Sequence, residues 1–137
     1  MQNPQIKFTY RDYLGFVRRN GLGVVVWAPM DVVLSELNVV QPDILFISNE
    51  RREIITENNI SGAPDLVVEI LSPITAERDR QLKLGLYARF GVREYWIVDP
   101  DENSVRVIEP GGQGHNTIST YTSGVISSPL MRGWKSP

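Results

Sequence analysis

Residues 66–99 decide the fold: LVVEIL (66–71), then SPITAERDRQLKLGLYARFG (72–91), then EYWIVD (94–99). The two flanking runs are almost continuously apolar, the composition of a strand covered on both faces. Ser72-Pro73 ends the first run, Thr75 is suited to cap a helix reaching to about Phe90, and Gly91 stops it. A helix between two buried strands predicts a right-handed crossover inside a mixed sheet, and so an α/β class.

Toward the N-terminus, Val24–Trp27 and Val32–Leu34 read as strands around an Ala28-Pro29-Met30-Asp31 turn. Asp43–Ile47 reads as a third strand, approached through Pro42. The polar, charge-rich segment Ser48–Ala63 reads as a surface excursion with a short helix near Asn49–Ile54. In residues 8–20 (FTYRDYLGFVRRN), Phe8, Tyr10, Tyr13, Leu14 and Val17 fall near helical spacing, with Gly21 and Gly23 as the stop. Toward the C-terminus, Pro100–Asn103 turns into Val105–Ile108, read as the edge strand of a hairpin. Residues 109–120 read as a glycine-rich loop and Tyr121–Ile126 as a last strand; the tail from Ser127 carries little signal. No repeat or linker divides the chain, so it reads as a single domain over residues 1–137 with a core of about 20–130.

Composition narrows the chemistry. The 137 residues are 42% hydrophobic and 22% charged, which excludes a disordered or fibrous chain. With no cysteine there is no thiol nucleophile, thiolate zinc site or iron–sulfur cluster. Fourteen basic against 16 acidic residues leave a net charge of -2, which argues against a sequence-independent DNA coater. The apolar runs are too short to span a membrane, and MQNPQIKFTYRDYL (1–14) lacks the apolar centre of a signal peptide, so the expected location is the cytoplasm.

Glu69 is the most informative single residue. An ionised carboxylate inside an apolar strand must be paired, protonated or metal-bound. Strand alternation puts Asp65, Val67, Glu69 and Leu71 on one face. Asp65 and Glu69 are then too far apart to share one ion, unless Asp65 folds inward at the strand's start. A salt bridge to a lysine or arginine is the structural alternative. Asp43 at the start of its strand is a second candidate, against ordinary turn chemistry after Pro42. On the helix, Asp79, Lys83, Tyr87 and Phe90 fall on one arc beside Leu82 and Leu86, placing Lys83 at the margin of the buried stripe. Its alternative is an i,i+4 surface pair with Asp79. Two acids and a lysine are the equipment of metal-dependent phosphodiester hydrolysis: hard oxygens for Mg²⁺, and an amine to orient water or offset charge.

Other chemistries find no support. His115 sits alone in a glycine-rich loop, and Gly111-Gly112-Gln113-Gly114 opens no helix. Trp27, Tyr95 and Trp96 read as core, and Arg78, Arg80, Arg89 and Arg93, interrupted by Glu77, Asp79 and Glu94, as a solvated face.

The blocks VVQPDILFIS (39–48), GAPDLVVEILSP (62–73) and ERDRQLKLGLYARFGVREYWIVDP (77–100), with the hairpin after them, closely resemble the Uma2 family of PD-(D/E)XK-type nucleases over roughly residues 20–130. The resemblance implies a restriction-endonuclease-like mixed β-sheet flanked by helices with a C-terminal β-hairpin, homodimers, and Mg²⁺-dependent cleavage of DNA, with Mn²⁺ as a substitute. Pro42-Asp43 matches the PD element and Glu69-Ile70-Leu71 the (D/E)XK element, so Asp43 and Glu69 become metal ligands and catalytic acids. Leu71 stands where the motif's lysine belongs, and Lys83 becomes its substitute as the third catalytic residue. Asp65 and Tyr87 become secondary pocket residues. Family members carry a further helix and an acidic segment ahead of this region, so the chain reads as shortened at its N-terminus. The alternative is a catalytically degenerate nuclease fold that binds nucleic acid or protein, or serves in dimerisation.

Overall fold

The computed structural model describes residues 14–15, 18–72, 77–111 and 117–122. Residues 8–13 and 16–17 of the expected 8–20 helix, the Thr75 cap, His115 and residues 123–126 of the expected 121–126 strand lie outside the described residues.

The described residues form a six-stranded sheet and a smaller three-stranded one. In chain order the strands are β1 (Gly23–Trp27), β2 (Val32–Ser35), β3 (Asn38–Val40), β4 (Ile44–Ser48), β5 (Ile60–Ser61), β6 (Leu66–Ile70), β7 (Glu94–Asp99), β8 (Ser104–Glu109) and β9 (Thr117–Tyr121). A short 3-10 helix covers Asn49–Ile54, and helix α1 covers Glu77–Phe90. The large sheet has the order β1-β4-β6-β7-β8-β9 and the small one β3-β2-β5. Every neighbouring pair in the large sheet is antiparallel except β6 and β7, the parallel pair that α1 connects. The mixed α/β class expected from the crossover is what the fold shows.

The register explains the composition. On one face Ile44, Phe46, Leu66, Val68, Trp96, Val98, Val105 and Val107 form a core with Leu14. On the other, Val67, Tyr95, Ile97 and Ile108 pack with Tyr87 of α1, while Leu45 and Ile47 pack with Val32 and Ile60 of the small sheet. β6 and β7 are therefore covered on both faces, which is why LVV and YWIV carry no polar residue. Helix α1 ends as Gly91 takes φ +85°, and the N–H groups of Gly91 and Val92 both donate to the Tyr87 carbonyl. A residue with a Cβ is strained in that left-handed conformation.

Several expectations need correction. β8 is interior, not an edge: β9 pairs with it, starting at Thr117 inside the segment read as loop. The polar spacing of 109–120 hid it. The excursion 48–63 contains β5, whose Ile60 is fully buried and pairs in parallel with β2; a two-residue strand leaves no periodicity to read. β3 was missed for the same reason. On α1, Leu82 is exposed and Leu84 faces the sheet, because Leu84 is three residues from Tyr87 and Leu82 is five. Trp27 is not core: it is 46% exposed at the end of edge strand β1.

Candidate active site

The β4–β6 ladder pairs Ile44 with Val68, Leu45 with Val67 and Phe46 with Leu66. One step further sets Asp43 opposite Glu69. Opposed residues share a face, with Cβ atoms about 5 Å apart. The face is the one α1 covers, since Val67 and Tyr87 lie in one core cluster. The fold thus brings the two acids together where the ladder ends.

Asp43 is fixed at that end. Its Oδ2 accepts the Ile70 N–H at 2.7 Å, and its carbonyl accepts the Ala28 N–H at 2.9 Å. Among the described residues Oδ1 carries no hydrogen bond, so one carboxylate oxygen anchors the side chain and the other is available. Glu69 is held from above. Lys83 Nζ donates to its Oε2 at 3.1 Å, and the Tyr87 hydroxyl to its Oε1 at 3.4 Å. The fully buried Tyr87 ring meets Tyr95 edge-on, with centroids 5.0 Å apart at 70°. That contact sets the height at which the hydroxyl, and one turn earlier the ammonium, reach the sheet.

Burial raises the Glu69 pKa above the usual glutamate value. Lys83 pulls it back by charge and hydrogen bond, the Asp43 charge raises it, and the Tyr87 hydroxyl lowers it. The register, one step beyond the Ile44–Val68 pair, is what makes the two carboxylates neighbours. The structure therefore converges all three predicted site residues, Asp43, Glu69 and Lys83, with Tyr87 beside them.

Asp65 does not join them. It is buried at the opposite end of β6, where Oδ2 accepts the Ser48 N–H at 2.7 Å and Oδ1 lies 3.8 Å from Arg93 Nη1. Its carbonyl accepts the N–H groups of Arg93 and Glu94. Asp65 ties β4 to the start of β7 and is structural. Sequence reading also passed over Arg106, which the β7–β8 register places opposite Ile97 and hence on the carboxylate face. Only the strand pairing carries that signal.

Among the described residues no three acid or histidine side chains converge as a ready-made cation cage. Two carboxylates suffice for Mg²⁺, which keeps several waters and accepts phosphate oxygens in its remaining positions. A free Asp43 oxygen beside Glu69 fits that ion; the donor set fits zinc poorly, lacking nitrogen and sulfur.

A mixed sheet whose one parallel pair is joined by a crossover helix defines the domain as α/β. Across residues 5–136 the chain matches the Uma2 family, described as "Putative restriction endonuclease", and it belongs to that family. It is also similar to a solved "putative nuclease belonging to DUF820" from Anabaena variabilis ATCC 29413, at 22% identity and a TM-score of 0.60. That likeness covers 76% of this chain and 58% of the other, so the chain spans under two thirds of that structure's length. At this identity it speaks for the fold. No curated protein matches the chain. Among the described residues no helix is long and apolar enough to cross a membrane.

Proposed function

We propose that the protein is a Mg²⁺-dependent endonuclease that hydrolyses DNA phosphodiester bonds, with Asp43 and Glu69 as metal ligands and Lys83 as the migrated motif lysine. Membership of the family supports the coarser reading, a hydrolase acting on nucleic acid. The observation that carries the finer one is Lys83 Nζ at 3.1 Å from Glu69 Oε2, an amine delivered to the carboxylate whose own strand offers only Leu71. A Mg²⁺ ion held there would supply Lewis acidity and a more acidic bound water. Asp43, locked by the Ile70 N–H, presents Oδ1. Glu69 is free to exchange one partner for the ion, and Lys83 is placed to orient a water and to offset charge developing on a phosphoryl oxygen. DNA as the polymer, a homodimer as the assembly and the cytoplasm as the compartment rest on the family resemblance and the sequence.

Nicking of supercoiled plasmid in Mg²⁺ or Mn²⁺ tests the proposal. Asp43→Asn and Glu69→Gln should each lower the rate by roughly 100-fold or more, the scale of removing one catalytic electrostatic contact, with circular dichroism unchanged. Cleavage at the wild-type rate in Glu69→Gln refutes it. A binding module without hydrolysis gives duplex binding, no nicking in either metal, and no metal effect on melting temperature.

A further inference from the structure

The hydrogen-bonded registers set one residue from each strand of the large sheet into a transverse row: Ala28, Asp43, Glu69, Ile97, Arg106 and Thr120. Glu69–Ile97, Ile97–Arg106 and Arg106–Thr120 are ladder partners, and Ala28 and Asp43, one residue outside β1 and β4, continue the row by one step. All six share the face that carries the carboxylates. Ile97 is buried under α1, whereas Arg106 and Thr120 emerge into solvent beyond the helix.

Arg106 has the attributes of a recognition residue. It lies on β8, held between β7 and β9, and its neighbours Val105 and Val107 are buried on the opposite face. The strand beneath the side chain is therefore rigid. Among the described residues its guanidinium pairs with no carboxylate. The nearest acid on the same face by register, Asp99, spends its Oδ1 on the N–H groups of Asp101 and Glu102. An arginine offers phosphate a planar, bidentate fork. Two strand spacings, each about 4.8 Å, separate Glu69 from Arg106. An interval of roughly 10 Å keeps the two groups within reach of neighbouring phosphates of one bound strand, whose charges follow one another every ~3.4 Å along the helix axis.

We propose that Arg106 binds a backbone phosphate of the substrate strand, within a few nucleotides of the phosphodiester positioned at the Asp43–Glu69 site, so that the strand runs along the row toward Thr120. The inference rests on the nuclease reading and adds the path of the substrate to it.

The experiment is fluorescence anisotropy of a fluorescein-labelled 20-base-pair DNA duplex in EDTA, titrated with wild-type protein from 50 to 300 mM KCl. Each phosphate contact contributes about 0.9 to the slope of log affinity against log salt. Arg106→Gln should flatten the slope by about 0.9 and weaken binding about eight-fold at 0.1 M salt, by the same relation. Arg106→Lys, which keeps the charge, should restore most of the slope. The thermal shift given by Mn²⁺ should be equal in wild type and Arg106→Gln. A slope and affinity in Arg106→Gln matching wild type overturn the Arg106 inference alone, as does a lost Mn²⁺ shift, which would make the residue a support of the metal site. Wild-type protein that binds no duplex at any salt overturns the nuclease reading along with it.

Discussion

Replacing Lys83 with methionine isolates the electrostatics of the site, because methionine keeps most of the aliphatic stem and removes the charge. The side chains of Lys83 and Glu69 are 27% and 12% exposed, so the pair is neither a surface bridge nor a fully buried one. Surface pairs contribute roughly 0–1 kcal/mol. Stripping one partner from a buried pair costs about 3–5 kcal/mol. A ceiling follows from linkage, since the orphaned Glu69 can always take up a proton. From a reference pKa of about 4.3, that costs no more than about 3.7 kcal/mol at pH 7. The expected destabilisation is therefore about 1–3 kcal/mol at pH 7. Its sign with pH is fixed. Burial already raises the folded-state pKa of Glu69, and losing Lys83 raises it further. A raised carboxyl is no liability below its unfolded pKa, and it costs stability as pH climbs through the window up to the folded value. The deficit of Lys83→Met should shrink below about 1 kcal/mol near pH 4.5 and plateau once pH exceeds the folded pKa. Urea unfolding of both proteins at pH 4.5, 5.5, 6.5 and 7.5 measures it. A deficit independent of pH, or none at pH 7.5, refutes the coupling of Lys83 to Glu69.

Other substitutions probe the neighbours. Tyr87→Phe removes a long hydrogen bond and keeps the ring against Tyr95, so it should cost under about 1 kcal/mol, while Tyr87→Ala should cost about 3–5 kcal/mol; chemical denaturation separates them. Asp65→Leu leaves the Ser48 N–H without its acceptor in a part-buried place and should cost about 1–3 kcal/mol while leaving the Mn²⁺ thermal shift intact, the reverse of Glu69→Gln, where that shift should vanish. Gly23→Ala should lose roughly 1–3 kcal/mol by overpacking, since a Cβ there would meet the Ile47 carbonyl and the Phe46 ring; a melting temperature equal to wild type would contradict the tight β1–β4 approach.

The sequence told most where burial was complete. LVVEIL and EYWIVD declared a parallel pair because strands covered on both faces have no polar positions to spare, and an acid within such a run stands out. Asp43 was legible as a candidate, but its partnership with Glu69 came only through the family resemblance: antiparallel pairing between residues 26 positions apart leaves no local trace. Two-residue β5 and three-residue β3 offer no period, and β9 lies in a stretch whose glycines and polar residues resemble a loop. Lys83 was found because helix periodicity is strong enough to place a cation at the edge of an apolar stripe. The same reasoning misplaced Leu82, whose five-residue separation from Tyr87 turns it outward. Arg106 shows the general limit, since a face position on a hairpin strand acquires meaning only once the register across the whole sheet is known.

If Lys83 is the motif lysine, as proposed, its displacement follows from competition for one position. Leu71 lies two residues beyond Glu69 and packs against the cluster that contains Tyr87 and Leu84 of α1, while its N–H donates to the Val98 carbonyl at 2.8 Å. A lysine at 71 would place an amine beside Glu69 from within the sheet, but it would remove an apolar contact where the crossover helix first meets β6. Lys83 reverses the assignment: the strand supplies packing and the helix supplies charge. The geometry depends on Tyr87, one turn along the same helix face, whose buried ring fixes the height of α1 above the sheet. A double substitution, Leu71→Lys with Lys83→Leu, tests this equivalence. If the position of the amine near Glu69 is what matters, the pair should recover the Mn²⁺-dependent plasmid nicking that Lys83→Leu alone lacks, at a packing cost of about 1–3 kcal/mol. Equal nicking rates in the single and double variants would show that the helix, and not merely an amine near the carboxylate, is required.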